Sequence, residues 1–126
     1  MSWQSYVDDH LIGTGHVTQG AICGVDGSLW ASSAGFDVSG EEVTKIVAGM
    51  DDPSALQGGG VHLGGTRYMF IRSDDRMVAG KKGTSGLFVC KAATCIVVGT
   101  HNENIQGGNC NTCVGNLADY LLSNGI

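Results

Sequence analysis

The sequence of 126 residues contains one proline, Pro53, and no apolar run long enough to cross a membrane as a helix. A single proline and a hydrophobic content of 42% argue against a disordered or linker-rich chain. The N-terminus lacks a basic region followed by an apolar stretch, so we expect no signal peptide. We therefore expect one domain, residues 1–126, which is long enough to bury a core without disulfides or metals.

The five cysteines are an odd number, which fits reduced thiols in the cytoplasm better than a disulfide framework. Cys110 and Cys113 have the CxxC spacing of a redox or metal site, but no βαβ pattern surrounds them. A structural zinc site needs four ligands, and neither the other cysteines nor the four histidines are spaced to supply them. Residues 80–84 lack the full spacing of a phosphate loop. We therefore expect no cofactor, no metal and no enzymatic activity.

Basic residues are few, and six of the seven lie between positions 67 and 91. Residues 67–91 hold six basic and two acidic residues, whereas residues 1–66 hold eight acidic residues and only Lys45 as a base. Because the whole chain has a net charge of −5, we expect no nucleic-acid partner. A basic segment on an acidic protein instead indicates an acidic protein surface or phosphate head groups, unless it is simply the solvated face of a strand.

Aromatic residues make up only 6% of the sequence, yet Trp3 and Tyr6 lie three positions apart near its start. On a helix, that spacing places both rings on one face. Leu117, Tyr120 and Leu121 recur at helical spacing near the other end. If the two helices lie side by side, Trp3, Tyr6 and Tyr120 form one shelf, which suits a proline-rich peptide in the polyproline II conformation. The pattern alone leaves open whether these rings form such a shelf or fill a small core.

Hydrophobic periodicity and turn residues predict three helices and seven strands. The helices cover residues 3–12, begin at Ser39 with a capping box and end before Pro53, and run from Asn109 or Asn111 to about Leu122. Short loops between successive strands imply antiparallel pairing, and the fold class that we predict is α+β, with helices covering an antiparallel β-sheet. The predicted strands cover residues 17–24, 28–33, 61–63, 68–72, 77–79, 87–90 and 95–98.

Four segments of the chain, taken in order, form a specific pattern. They are Ser2–Asp8, Ala31–Phe36, the stretch from Ile71 to Gly83 that includes Lys81-Lys82-Gly83, and Leu117–Leu121. This pattern resembles profilins, most of all those of protists, from one end of the chain to the other. The resemblance implies an antiparallel sheet with the N- and C-terminal helices packed on one face and smaller helices on the other.

The resemblance also implies a binding protein that acts as a monomer in the cytoplasm, at the cytoskeleton and the cell cortex. Its implied partners are monomeric actin, proline-rich proteins such as actin elongation factors, and phosphoinositide head groups. The implied polyproline site comprises Trp3, Tyr6, Trp30, Tyr120 and Leu121. The implied actin site comprises Arg67, Arg72, Lys82, Ile105, Gly107, Gly108 and Asn111. The basic residues expected to attract phosphoinositides are Arg72, Arg76, Lys81 and Lys82.

Two departures from the family pattern accompany the match. Ile126 stands where many relatives have a final aromatic residue, and no lysine lies between Asn109 and Ile126.

Two functions of other classes also stay open. A thiol oxidoreductase using Cys110 and Cys113 predicts a depressed thiol pKa, and a ligand-sensing α+β domain with a buried cofactor predicts an internal pocket.

Overall fold

The computed structural model describes residues 2–126. Its centre is one sheet of seven antiparallel strands: β1 (Gln19–Gly24), β2 (Leu29–Ser32), β3 (Val61–Leu63), β4 (Thr66–Ser73), β5 (Met77–Lys82), β6 (Ser85–Lys91) and β7 (Cys95–His101). The strands lie in the order β2-β1-β7-β6-β5-β4-β3. β1 and β7, which are distant in the chain, therefore pair next to the β2 edge, while β3 to β7 follow one another as hairpins.

Four α-helices cover the sheet: α1 (Trp3–His10), α2 (Gly40–Asp51), α3 (Ser54–Gly59) and α4 (Gly107–Ser123). Side-chain caps fix the start of two of them. The backbone N–H of Ser5 donates to Ser2 Oγ at 3.2 Å at the start of α1. At the start of α2, the capping box predicted at Ser39 is present, because Ser39 and Glu42 each accept a hydrogen bond from the other's backbone N–H.

The two faces of the sheet carry different helices, because alternate residues of each strand point to opposite sides. On one face, α2 and α3 bury Val43, Ile46 and Leu56 in a core that also holds Ile96 and Val98 of β7. The opposite face carries α1 and α4, whose buried residues Val7, Leu11, Val114 and Leu117 share a core with Val97. This arrangement confirms the predicted fold class, with the terminal helices on one face and the smaller helices on the other.

The observed elements differ from the predicted ones at their ends. α1 stops at His10 and is followed by a 3₁₀ turn over Ile12–Thr14, whereas the sequence predicted one helix to residue 12. α3 was not predicted, because its glycine-rich end was taken as a chain break. α4 begins at Gly107, before either predicted start, with Gln106 as its N-cap residue. Strands β4 to β7 are longer than predicted, since polar residues such as Lys81 and Lys82 continue the ladder.

Candidate functional site

Four aromatic rings from three separate elements lie together on the α1 and α4 side of the sheet. Trp3 and Tyr6 of α1 have ring centroids 5.6 Å apart, and the Trp3 ring lies 4.8 Å from that of Trp30 in β2. The Tyr6 ring lies 6.1 Å from that of Tyr120 in α4. We call these four residues the aromatic shelf. Their tilted rings, 40° to 48° between planes, make edge and face contacts that stabilise the arrangement.

Hydrogen bonds fix the elements that carry the shelf. The side-chain amide of Gln4 donates to the carbonyl oxygen of Ser32 at 2.8 Å, which joins α1 to β2. The Nε1 atom of Trp30 donates to Ser28 Oγ at 3.1 Å, and that hydroxyl donates to Asp26 Oδ1 at 2.6 Å. These contacts hold the Trp30 indole against the β1–β2 turn, so the shelf is formed before any ligand arrives.

The shelf is accessible, which answers the question that the sequence left open. The Tyr120 side chain is 52% exposed, and Trp3, Tyr6 and Trp30 are half-buried. The rings therefore rest on the core without filling it. The neighbouring hydroxyl of Tyr120 raises the pKa of Tyr6 above its usual value, so Tyr6 stays neutral at physiological pH.

Leu121, expected in the same site, lies elsewhere. Its side chain is fully buried in the core between α1, α4 and the sheet, so it cannot touch a ligand on the shelf. The helical period explains this placement, because Tyr120 and Leu121 are adjacent and point about 100° apart around α4. Leu121 supports the shelf from below. Ile126 is half-buried and packs against the same core.

A groove of about 540 Å³ continues from the shelf between α1 and α4. Tyr6 and Tyr120 line one end, and His10 and Asn116 lie further along its walls. The groove is open, since most of its lining residues are exposed. It is therefore unlike the internal pocket that a buried-cofactor domain needs.

The predicted basic residues divide between the two faces of the sheet. In β4, a bulge at Ile71 places Arg72 opposite Ala79 of β5, whereas Met69 pairs with Lys81. Val78 points into the core beneath α2, so Ala79 and Lys81 point to the α1 and α4 side by alternation. Arg72, Met69 and Lys81 therefore share a face. Lys82 points to the opposite face and is not brought together with Arg72, although both were predicted to contact actin.

That shared face is open, because α4 packs on β6 and β7 and leaves the neighbouring part of the sheet uncovered. Met69 is 66% exposed, and Arg67, Arg72 and Lys81 are exposed beside it. We call these four residues the basic strand face. Arg67 lies near the end of α3, where its Nε atom donates to the carbonyl oxygen of Gly59 at 3.0 Å.

Arg76, predicted as a phosphoinositide contact, is already engaged within the fold. Its guanidinium donates to the carbonyl oxygen of Lys91 through Nε at 3.2 Å and through Nη2 at 3.0 Å. The same Nη2 atom lies 3.1 Å from Asp119 Oδ1 in α4. Arg76 thus joins the β4–β5 turn to β6 and α4, and its charge is partly neutralised by Asp119.

The start of α4, with Gly107, Gly108 and Asn111, lies on the same side of the sheet as the basic strand face, packed on β6 and β7. A Cβ atom at Gly107 would lie only 3.3 Å from His101 Nε2, so glycine lets the helix approach β7. His101 stacks on Phe88 of β6, with ring centroids 6.0 Å apart and 22° between planes. The preceding loop carries Ile105, which is half-buried.

Sequence reasoning missed four residues of this region: Met69, Ile71, Phe88 and His101. The sequence placed Met69 and Ile71 in a predicted strand without a role in any site, yet they are 66% and 50% exposed. The signal that could have found Met69 is strand alternation, since the buried Tyr68 next to it points to the other face.

The cysteines contradict the thiol oxidoreductase alternative. Cys110 is fully buried, and burial raises its pKa to about 12, with the nearby Cys113 adding to the effect. Cys113 is half-buried, and its Sγ atom lies 3.3 Å from the carbonyl oxygen of His10. A redox cysteine needs a lowered pKa and access to solvent, and Cys110 has neither.

Within residues 2–126, no cluster of three or more His, Cys, Asp or Glu side chains has a geometry suited to a metal ion. The helices of the same residues include none with the length and apolar character required to cross a bilayer.

Comparisons with known proteins agree with this architecture. The profilin family model matches residues 1–126. Profilin-2 of Acanthamoeba castellanii is 49% identical over 126 residues, which cover 100% of each chain. The crystal structure of Acanthamoeba castellanii profilin II in a cubic form has a TM-score of 0.97 at 48% identity and covers 99% of this chain and 100% of that one. Mouse profilin IIa in complex with a double repeat from the FH1 domain of mDia1 has a TM-score of 0.84 at 27% identity, with 100% of both chains covered.

Proposed function

The chain belongs to the profilin family of actin-binding regulators, which are not enzymes, and we propose that it binds monomeric actin and proline-rich ligands on two separate surfaces. The observation that carries this proposal is the aromatic shelf, four rings assembled from α1, β2 and α4. The second surface is the basic strand face with the start of α4 beside it. The two surfaces differ in chemistry, one being aromatic and the other charged.

The spacing of the shelf suits polyproline. A polyproline II helix rises about 3.1 Å per residue, so steps of 4.8 Å and 5.6 Å between rings correspond to about one and a half to two residues each. Proline has no backbone N–H and its ring is compact and apolar, so it packs on indole and phenol faces without leaving a donor unpaired. Mouse profilin IIa, whose fold this chain shares, is known in complex with an FH1 repeat. We infer that Trp3, Tyr6, Trp30 and Tyr120 bind such ligands here.

For actin, we propose the basic strand face together with Gly107, Gly108 and Asn111 of α4 and Ile105 before it. Exposed Met69 supplies an apolar contact, and Arg72 and Lys81 flank it with positive charge. Actin is acidic, so these charges favour encounter and the correct orientation. Arg67 extends this surface at the sheet edge. Lys82 points to the other face and is left outside the proposed contact.

The two surfaces are far enough apart for both ligands to bind at once. β2, which carries Trp30, is separated from β4 by β1, β7, β6 and β5. At about 4.8 Å between neighbouring strands, this separation is about 24 Å. The protein can therefore hold an actin monomer while its shelf engages a proline-rich protein such as an actin elongation factor.

The basic strand face also offers charge to phosphoinositide head groups. Arg72 and Lys81 offer two free charges on one face, whereas Arg76 is paired with Asp119 and Lys82 lies on the other face. Each free basic residue near an anionic surface contributes about 1 kcal/mol, and the net charge of −5 opposes long-range attraction. We propose weak binding to clustered phosphoinositide head groups, in competition with actin.

We further propose that residues 1–126 form one profilin domain that acts as a monomer in the cytoplasm. Its expected sites of action are the cytoskeleton and the cell cortex, because actin filaments and proline-rich elongation factors are found there.

Capture of actin on immobilised polyproline tests the proposal of two separate surfaces. Beads carrying a proline decamer are mixed with monomeric actin, with and without the protein. We expect the beads to retain actin only when the protein is present, because one molecule must bridge the two ligands. The proposal fails if soluble actin releases the protein from the beads, since the two ligands then share a surface.

A further inference from the structure

A second groove lies on the α2 and α3 side of the sheet, across the sheet from the aromatic shelf. Its volume is about 300 Å³, and it runs between α2, α3 and the edge strand β3. Its lining includes the buried side chains of Ile46 and Leu56 and the exposed small residues Ala48 and Ala55. Gly49 lets the two helices approach, because a Cβ atom there would collide with Leu56. The groove is apolar at its floor and accepts an aliphatic side chain.

The strand beside this groove, β3, has one edge without a partner strand. The turn Gly64–Gly65 has positive φ angles of 60° and 77°, as in the two-residue hairpin turns whose flanking residues, here Leu63 and Thr66, form a hydrogen-bonded pair. Bonded and non-bonded pairs alternate along an antiparallel ladder, so the next pair, His62 and Arg67, is not hydrogen-bonded. The backbone N–H and C=O of His62 therefore point away from β4. His62 also lines the groove, so the open edge and the groove form one surface.

The rim of this groove is acidic. Glu42 and Asp52 lie in its lining, and Lys45, the basic residue among the lining side chains, is paired with Glu41 at 3.5 Å. Glu42 and Asp52 therefore keep the rim negative. Arg67 stands at the α3 end of the groove, where its Nε atom donates to a carbonyl oxygen of that helix at 3.0 Å. A basic ligand is thus attracted to the rim and kept from the α3 end.

We propose that this surface binds a short, extended, basic segment of a partner protein, which adds as a strand to the free edge of β3. In this binding mode, main-chain hydrogen bonds to the edge supply affinity, and pockets for alternate side chains supply specificity. His62 pairs with the main chain of the segment, and the groove floor receives an aliphatic side chain. Glu42 and Asp52 attract lysine or arginine side chains on the same side of the segment.

Strand alternation defines the sequence pattern that the surface selects. Residues i, i+2 and i+4 of an extended segment point to the same side. The pattern is therefore a basic residue, an aliphatic residue and a second basic residue at alternate positions, with neutral residues between them. The neutral residues point to the opposite side, which carries Arg67. Because β3 has only three residues, the segment that pairs with it is short.

The probe for this surface is the peptide Thr-Lys-Thr-Leu-Thr-Lys-Thr, with both ends blocked. Its leucine and both lysines share one side of an extended chain, and threonine favours that conformation. A matched peptide has glutamate in place of both lysines. A third peptide keeps the lysines but carries N-methyl groups on the residues whose N–H groups face β3, which removes those donors. Nuclear magnetic resonance titration of the whole chain measures affinity and location, and hydrogen exchange of the His62 amide reports on the edge.

Two adjacent aspartates provide a matched pair of variants. Asp51 and Asp52 are both exposed, but only Asp52 lines the groove, and asparagine there keeps an oxygen for the N–H of Ser54. We expect Asp52→Asn to weaken binding of the lysine peptide about two- to fivefold, and Asp51→Asn to have a smaller effect. Ala55→Trp fills the groove from an exposed position and should weaken binding about tenfold or more, because the leucine loses its place. Circular dichroism and proline-decamer binding show that each variant is folded.

The expected result is that the lysine peptide shifts the amides of His62 and Gly59 and slows exchange of the His62 amide, while the other two peptides do neither. The inference is overturned if the lysine peptide does not bind, or if the glutamate or N-methylated peptide binds equally well. It is also overturned if the shifts spread to distant acidic residues such as Asp8, or if folded Ala55→Trp keeps full affinity. Self-association of the protein through this surface without peptide would identify a second copy of the chain as the occupant and would likewise contradict the proposal.

Discussion

The indole rings of Trp3 and Trp30 lie with centroids 4.8 Å apart, although Trp3 belongs to the first helix and Trp30 to an edge strand. The hydrogen bond from Gln4 to the carbonyl oxygen of Ser32 holds the two elements together beside this pair. The ligand surface is thus a tertiary feature, because neither element alone presents more than part of it. Its integrity depends on the docking of α1.

The matched lysines at the end of β5 test the assignment of the actin surface. Lys81 and Lys82 are adjacent and both exposed, but by alternation they point to opposite faces of the sheet. We expect Lys81→Glu to weaken actin binding about tenfold through lost charge complementarity, and Lys82→Glu to have little effect. Titration of fluorescently labelled actin monomers measures both. Equal losses of actin affinity for the two variants would show that the face to which the lysine points does not determine actin binding.

Salt sensitivity tests the phosphoinositide contact. If Arg72 and Lys81 supply the attraction, binding to phosphoinositide vesicles should be weak at physiological ionic strength and stronger at low salt, where screening is longer-ranged. Replacing both Arg72 and Lys81 with Glu should abolish binding to the vesicles. Vesicle co-sedimentation across a salt series provides the measurement. Tight binding that ignores salt, or that survives the double reversal, contradicts the electrostatic explanation.

The hydrogen-bonded carboxylate of Glu42 should make the free energy of unfolding fall in acid. Burial opposes its ionisation, but hydrogen bonds from the backbone N–H groups of Ser39, Gly65 and Gly64 outweigh burial, so the pKa of Glu42 is lowered. Gly64 and Gly65 have φ angles of 60° and 77°, which glycine tolerates best. The carboxylate thus joins the start of α2 to the β3–β4 turn.

A lowered folded-state pKa stabilises the protein above the unfolded value, about 4.3, and this contribution is lost as pH falls through the folded-state pKa. We expect Glu42→Gln to cost about 1–2 kcal/mol at neutral pH and less in acid. Glu41→Gln is the control, because Glu41 is exposed and pairs only with Lys45. Urea unfolding at several pH values measures the difference. A constant cost for Glu42→Gln between pH 7 and pH 3 would refute the linkage.

Thiol accessibility provides a test against redox chemistry. Burial raises the pKa of Cys23 to about 12, of Cys95 to about 11 and of Cys110 to about 12. We expect these three thiols to react with a disulfide reagent only after unfolding, because thiolate and access are both required. Mass spectrometry after brief labelling of the native protein identifies the modified residues. Rapid labelling of Cys110 is the outcome that would reopen the oxidoreductase alternative.

The sequence allowed most of the fold to be predicted, because its signals are local. Alternation and turn residues located all seven strands, and the capping box located the start of α2. The predicted boundaries of the helices and strands were wrong where tertiary contacts override local preference. α4 starts early because Gly107 enters the helix beside His101 and Phe88, a contact that a local pattern cannot contain.

The site was only partly predictable for the same reason. Helical spacing indicated that Trp3, Tyr6 and Tyr120 belong to one site, but Trp30 was assigned to it from the family resemblance alone. The separation of Arg72 from Lys82 depends on one bulge in β4, which shifts the register between Phe70 and Arg72. A shift of one residue moves side chains to the other face, so their grouping could not be derived from charge content.

The central claim is that the aromatic shelf binds proline-rich ligands. Trp3 and Trp30 are the two tryptophans of the chain and both belong to the shelf, so intrinsic fluorescence reports on it directly. We expect a proline decamer to change the tryptophan emission saturably, and Trp3→Ala to cost about 2 kcal/mol or more of that binding, because large aromatic anchors dominate such interfaces. Circular dichroism serves as the control for folding. Unchanged decamer affinity in a folded Trp3→Ala variant would contradict the account.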